Sequence, residues 1–305
     1  MATRRGGRAS TPRLAALAVL MLALGLGLGA LFTSQSCSKK GRLPGDEEKA
    51  PPKPAPKPKP RKPEPVPPGP APAPVPAPEP KSALPKLAVV IDDLGYAPTE
   101  LVTRLCAQPV PLSVAVLPYQ EHTRASADIA HERGKEVMLH LPMEPVGYPG
   151  PGKDPGPEAV MFDLKEADMR ARVRKALADI PWRKGVNNHM GSRITPDRTR
   201  MRWILEEIRA KKCFFVDSRT EKESVAYDVA RELSVPTVQR KVFLDDDKSF
   251  AEMKKQWERA LGIATREGHA VIIGHIYPET VEALEKLIPA AKGRVQFVRA
   301  GDLTR

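Results

Sequence analysis

The chain has 305 residues with 49 Lys and Arg against 37 Asp and Glu, a formal net charge of +12. The excess sits at one end: residues 1–86 hold 15 basic and 5 acidic side chains, leaving 34 against 32 in residues 87–305. A nearly neutral folded part lacks the net basic footprint expected of a specific nucleic-acid binder. It also holds only two cysteines, Cys106 and Cys213, each in an apolar pattern that reads as a small buried thiol rather than a disulfide framework.

The first element in the chain is an arginine-rich flank, MATRRGGRASTPR, followed at 14–32 by LAALAVLMLALGLGLGALF, which is uncharged and mostly apolar. That run approaches the roughly 20 residues needed to cross a hydrocarbon core. Positive flanks stay cytoplasmic, so the rest of the chain is expected to be exported to the periplasm or cell envelope, with the membrane as partner of residues 1–36. Small residues and Cys37 follow the run, which leaves retention as an anchor, cleavage and lipidation all open. Residues 37–86 read as a linker: 18 of the 34 prolines fall within 44–85, and there is almost no large apolar side chain to pack. An extended basic spacer of roughly 3 Å per residue is expected, suited to an anionic surface such as membrane lipid or wall polymer.

From residue 87 onward, short apolar runs alternate with helix-period segments, the pattern of βα units around a parallel sheet. Expected strands are 87–91, 112–116, 136–140, 185–187, 213–216, 242–244, 270–274 and 295–298, several of them apolar throughout, as when both faces are covered. A helix through His131 is expected to stop at Gly134. Met201, Ile204, Leu205 and Ile208 form a core stripe behind Thr195-Pro196, read as a cap and a first-turn proline, and Phe250, Met253, Trp257, Leu261 and Ala264 form another. Pro142 to Glu158 is a Pro- and Gly-rich loop long enough for a lid or cleft wall. The whole predicts a (β/α) barrel in 87–305, with an open doubly wound sheet as the alternative.

In parallel barrels chemistry gathers where strands end and helices begin. The strand ends carry Asp92-Asp93, His140, Asn187-Asn188-His189, Asp217-Ser218, Asp245-Asp246-Asp247 and His275. Helix capping accounts for single Asp, Asn and Ser residues there, but not for three imidazoles. Asp93, His140 and His189 offer one carboxylate and two imidazoles from separate strands, a set able to hold a divalent metal and leave positions open. Zinc comes first, and the spacing is also compatible with manganese, cobalt or nickel. The competing reading is that the histidines are hydrogen-bonded structural residues.

These phrases carry a resemblance. VVIDDLGY, LSVAVLPY, EVMLHLPMEP, GVNNHMGSRIT, FFVDSRT and VIIGHIYPET, in that order, resemble the divergent polysaccharide deacetylase family, related to carbohydrate esterases that remove N- or O-acetyl groups. The resemblance implies a deformed, seven-stranded (β/α) barrel. It further implies Asp92 as general base, Asp93 as metal ligand and His275 as general acid. The related enzymes use a second motif of two histidines one helical turn apart, whereas here Glu144 stands where the second histidine is expected. Pro142 disfavours a helix there, so His140 and Glu144 are not expected to share a helix face, and His189 is the candidate to complete the ligand set.

The expected reaction is metal-dependent hydrolysis of acetyl groups, N-acetyl first, on a cell-envelope polysaccharide such as peptidoglycan or another aminosugar polymer. Asn188, Arg193, Asp217 and Tyr96 are candidate substrate-binding residues, and Tyr119 could also stack on a sugar ring. Helix capping and surface ion pairing compete for Asp217 and Arg193. The altered second motif supports an alternative function: a catalytically inactive domain that binds glycan or a cell-wall hydrolase partner.

Overall fold

The computed structural model describes residues 84–304. The expectations for the apolar run at 14–32 and for the linker up to residue 83 lie outside the described residues. Among the described residues, no helix is long and apolar enough to cross a membrane.

Strands and helices alternate as the apolar periodicity predicts. The order is β1 (Lys86–Leu94), α1 (Thr99–Cys106), β2 (Ser113–Val116), α2 (Thr123–Glu132), β3 (Glu136–Met143), α3 (Glu166–Asp179), β4 (Gly185–Met190), α4 (Arg198–Ala210) and β5 (Phe214–Asp217). Then come α5 (Ala226–Glu232), β6 (Thr237–Gln239), β7 (Val242–Phe243), α6 (Phe250–Glu267), β8 (His269–His275), α7 (Pro278–Ala290), β9 (Gln296–Val298) and a 3-10 turn at Gly301–Leu303. The strands form one sheet in the order β6-β5-β4-β3-β2-β1-β8-β7, with β9 beside β1. All of these pairings are parallel.

Side-chain alternation splits the core into two layers. Leu87, Val89 and Ile91 of β1 pack outward with helix residues such as Trp257, Leu205 and Val102. Ala88 and Val90 face inward with Ala115, Met138, Val216 and Ile273. The sheet thus curls around a side-chain-filled interior, as in a (β/α) barrel, but among the described residues no pairing joins β6 to β7. β9 takes up the first part of β1, at Lys86–Ala88, before β2 joins at Val90.

Several boundaries differ from expectation. Among the described residues there are nine strands, the eight expected ones and the three-residue β6, which was not expected. β3 and β4 run on past His140 and Asn187, and Pro142 pairs opposite His189 inside the sheet. Proline is tolerated there because β2 ends at Val116 opposite Leu139, so Pro142 lies beyond the β2 ladder. The cap of α4 is Asp197, which accepts from the Arg200 amide at 2.8 Å, rather than Thr195. Gly134 takes a left-handed φ of 68° after α2, as its position predicts.

The amino-terminal mouth of the barrel is closed by Ala300 and Gly301, which follow β9. Ser113 donates to Glu136 at 2.7 Å, and the amides of Ala300 and Gly301 donate to Ser113 Oγ and Glu136 Oε2 at 2.8 and 3.1 Å. A Cβ at Gly301 would lie 2.5 Å from Glu136 Oε1 and 2.9 Å from Phe214 Cε1, so a side chain here would have to displace both. Chemistry is therefore left to the opposite, carboxyl-terminal mouth.

Candidate active site

The site is the top layer of the barrel interior. On β1 the inward residues 88 and 90 are followed by Asp92; on β3 the inward Met138 is followed by His140; on β8 the inward Val271 and Ile273 are followed by His275. Asp93 is the exception that makes the site. Strict alternation would turn it toward the helices, but the β1–β2 register shifts between Ile91 and Leu94 and Asp93 has φ 65°. Such a bulge re-aims a side chain at a local cost of about 1–3 kcal/mol. Both carboxylates of the Asp92-Asp93 pair consequently approach His140 Nε2, at 3.6 and 3.3 Å.

Asp93, His140 and His189 form the group expected from sequence, with ligand atoms all within 4.8 Å of one another. Asp93 Oδ1 lies 3.3 Å from His140 Nε2 and 3.1 Å from His189 Nδ1, and those two nitrogens are 3.1 Å apart. Asp93 Oδ1 is buried, and its contacts with the two rings have no hydrogen-bond geometry. Donors bound at about 2.0–2.1 Å on one face of a tetrahedral zinc lie about 3.4 Å apart. An orphaned carboxylate oxygen and two imidazole nitrogens at this spacing fit a divalent cation. Burial pushes the Asp93 carboxyl up, but the two imidazoles outweigh it and hold it well below the usual carboxylate range.

Asn187 sets the chemistry of two of these groups. Its Oδ1 is 2.8 Å from His140 Nδ1, which assigns the ring proton to Nδ1 and leaves Nε2 free toward Asp93. Its Nδ2 donates to Asp92 Oδ1 at 2.8 Å and to Ser218 at 3.2 Å. Asp92 is 3% exposed. Burial raises its carboxyl above the ordinary value, opposed by His140 and His275 and reinforced by Asp93.

His275 faces the same cleft, with Nε2 4.0 Å from Asp93 Oδ2. Its other nitrogen is 3.0 Å from Asp245 Oδ1, and its amide donates to Asp245 Oδ2 at 2.6 Å. Thr280 donates to that same oxygen at 2.7 Å. Burial lowers the His275 imidazole, but Asp245 overcomes this, followed by Asp93 and Asp92, and the value rises to about 9. Sequence reasoning did not single out Asp245: it is the first of three consecutive aspartates, and nothing in the run separates it from Asp246 and Asp247. Gly274 makes the contact possible, since a Cβ there would lie 3.1 Å from Asp245 Oδ2.

The remaining candidates divide. Glu144 is buried at the end of β3, away from the metal-ligand group, where it accepts from the Phe162 amide at 2.6 Å and pairs with Arg193. β3 stays extended through Pro142, so His140 and Glu144 share no helix face, as expected. Arg193 stacks over Phe162 and binds Glu144 rather than pointing into the cleft. Asn188 lines the cleft but spends its amide on the Ser218 amide and the Met190 carbonyl. Asp217 is fully buried and braces the next loop through the Arg219 amide and the Ser224 hydroxyl, so it does not reach the site. Tyr96, 57% exposed, stands with Tyr277 and Leu101 at an adjoining, mainly apolar cleft of about 570 Å³. The Tyr119 hydroxyl is buried without a hydrogen bond, and burial lifts it to about 12. Cys106 and Cys213 are free and buried.

Comparison with known proteins identifies the family and the fold. A sequence model of the divergent polysaccharide deacetylase family matches residues 89–304. The uncharacterized protein YibQ of Escherichia coli is 36% identical over 218 residues, 72% of this chain and 67% of its own length. An uncharacterized protein of Haemophilus influenzae is 35% identical over 223 residues, 73% of this chain and 78% of its own length. The crystal structure of an uncharacterized protein from Agrobacterium tumefaciens shares the fold, with a TM-score of 0.69 at 23% identity, over 74% of this chain and 92% of that one. A family match that spans nearly all of the described residues places the chain in the divergent polysaccharide deacetylase family.

Proposed function

We propose that this protein is a metal-dependent hydrolase that removes acetyl groups, N-acetyl first, from a cell-envelope polysaccharide such as peptidoglycan. The observation that carries the reading is the triangle of Asp93, His140 and His189 donor atoms, with Asp92 on one side and His275 on the other. A bound divalent cation, zinc first, supplies Lewis acidity for the acyl oxygen and lowers the pKa of water. The cleft of about 370 Å³ above these groups suits an aminosugar and its acetamide.

The protein's own residues divide the proton work. Asp92, raised by burial and held by Asn187, takes a proton from water as the water oxygen attacks the acetyl carbon. His275, protonated on Nε2 and fixed through Nδ1 by Asp245, donates to the departing nitrogen as the C–N bond breaks. Acetate and a free amine result. The apolar run at 14–32 supports placing this chemistry outside the cytoplasm.

Glu144 in place of a second-motif histidine favours a competing reading, a silent domain that binds glycan or a wall hydrolase. One assay separates the two. Zinc-loaded protein is expected to release acetate from chitooligosaccharides or peptidoglycan; zinc binding with no acetate from any of several glycans would favour the silent domain.

A further inference from the structure

Beside the catalytic cleft lies a second one of about 430 Å³, and the two share Thr220 and Phe243. Its other walls are Arg219, Arg240 and Asp246. Arg240, one residue past β6, donates Nε to the Ser218 carbonyl at 2.5 Å and Nη2 to the Arg219 carbonyl at 2.7 Å, with its guanidinium 5.0 Å from the Phe243 ring centre. Arg219 donates to the carbonyls of Ser224 and Lys222, both at 2.9 Å. All four acceptors are neutral, and among the described residues neither guanidinium has a carboxylate within ion-pair distance. A guanidinium has more donors than these bonds use, so both retain N–H groups without a protein partner.

Arg240 is half-buried, and a partly desolvated cation with no counter-charge is costly unless an anion reaches it. The planar fork of arginine matches carboxylate and phosphate. Asp246, exposed at the rim, opposes the two cations and leaves the cleft at a net charge of +1.

We propose that this cleft is a subsite for an anionic substituent, carboxylate or phosphate, on a sugar adjoining the one that is deacetylated. Arg219 and Arg240 hold the anion while Phe243 lies against the sugar ring. The inference rests on the deacetylase reading and narrows its substrate from aminosugar polymers in general to acidic ones.

The test is calorimetric binding to full-length, zinc-loaded protein in an Asp92→Asn background, which prevents turnover. Three probes are compared: neutral N-acetylglucosamine tetramer, a tetrasaccharide alternating N-acetylglucosamine with N-acetylmuramic acid bearing free carboxylates, and a phosphorylated chitotetraose. At least one acidic probe should bind about tenfold more tightly than the neutral one, and added salt should erode the difference. Which acidic probe gains identifies the anion. Arg219→Gln with Arg240→Gln should abolish the preference while leaving neutral binding unchanged; Asp246→Asn should increase it. Equal binding of all three probes, or equal weakening of all three in the double variant, overturns the subsite. Should the double variant not fold, the wild-type probe series and Asp246→Asn still decide. Acetate release from all three probes by the wild type tests the deacetylase reading separately: release without acidic preference in binding sinks only the subsite, whereas no acetate from any of the three, acidic probes included, sinks the deacetylase reading whatever the binding preference.

Discussion

Asp245 holds His275 at two points, with Oδ1 3.0 Å from the ring Nδ1 and Oδ2 accepting the backbone amide at 2.6 Å. The imidazole can therefore neither rotate away nor change tautomer without breaking a buried contact. This fixes which nitrogen faces the cleft, and it keeps the ring protonated to about pH 9.

Asp245→Asn should move the alkaline limb of the activity profile down by roughly one to two pH units, because removing the neighbouring carboxylate lets burial lower His275. The same raised value has a stability consequence. The folded-state pKa lies above the ordinary 6.5, so the contribution is fully present below pH 6.5 and is lost as pH rises through about 9. Melting curves of wild type and Asp245→Asn should differ most at pH 6 and converge toward pH 9. A gap that widens with pH would contradict this assignment.

Asn187 links Asp92 to His140. Asn187→Ala frees the tautomer of a metal-binding ring and the orientation of the base together. Metal affinity or turnover should drop about 10–100-fold, read by chelator competition and initial rates. Unchanged values in both would reduce Asn187 to a packing residue.

Glu144 pairs with Arg193 and the Phe162 amide rather than with the metal-ligand group. Glu144→Gln should leave zinc content intact while costing about 1.5–3 kcal/mol of stability, the range for hydrogen bonds to charged groups, as measured by urea unfolding. Loss of zinc from this variant would restore Glu144 as a ligand.

Much of this site was legible in the sequence because it follows strand parity. Apolar runs ending in Asp92, His140 and His275 place those side chains above an inward-facing apolar layer. The bulge at Asp93 was not legible, since it arises from a register slip between β1 and β2 that no single segment encodes. Asp245 was hidden for a similar reason: its role depends on β7 lying beside β8, and on Gly274 admitting the carboxylate. Arg193 and Asp217 show the converse. Both fall inside family-like motifs, yet their partners are Glu144 and the loop after β5. β6 escaped notice because three residues carry no periodic signal.

The central claim is that Asp93, His140 and His189 hold one ion that Asp92 does not ligate. Elemental analysis of purified wild type, Asp92→Asn, Asp93→Ala and His189→Ala tests it most directly. The expected result is about one zinc per chain in the wild type and in Asp92→Asn, with most of it lost from the other two. A wild type that binds no metal under zinc-replete conditions, or equal loss in all three variants, would contradict the account.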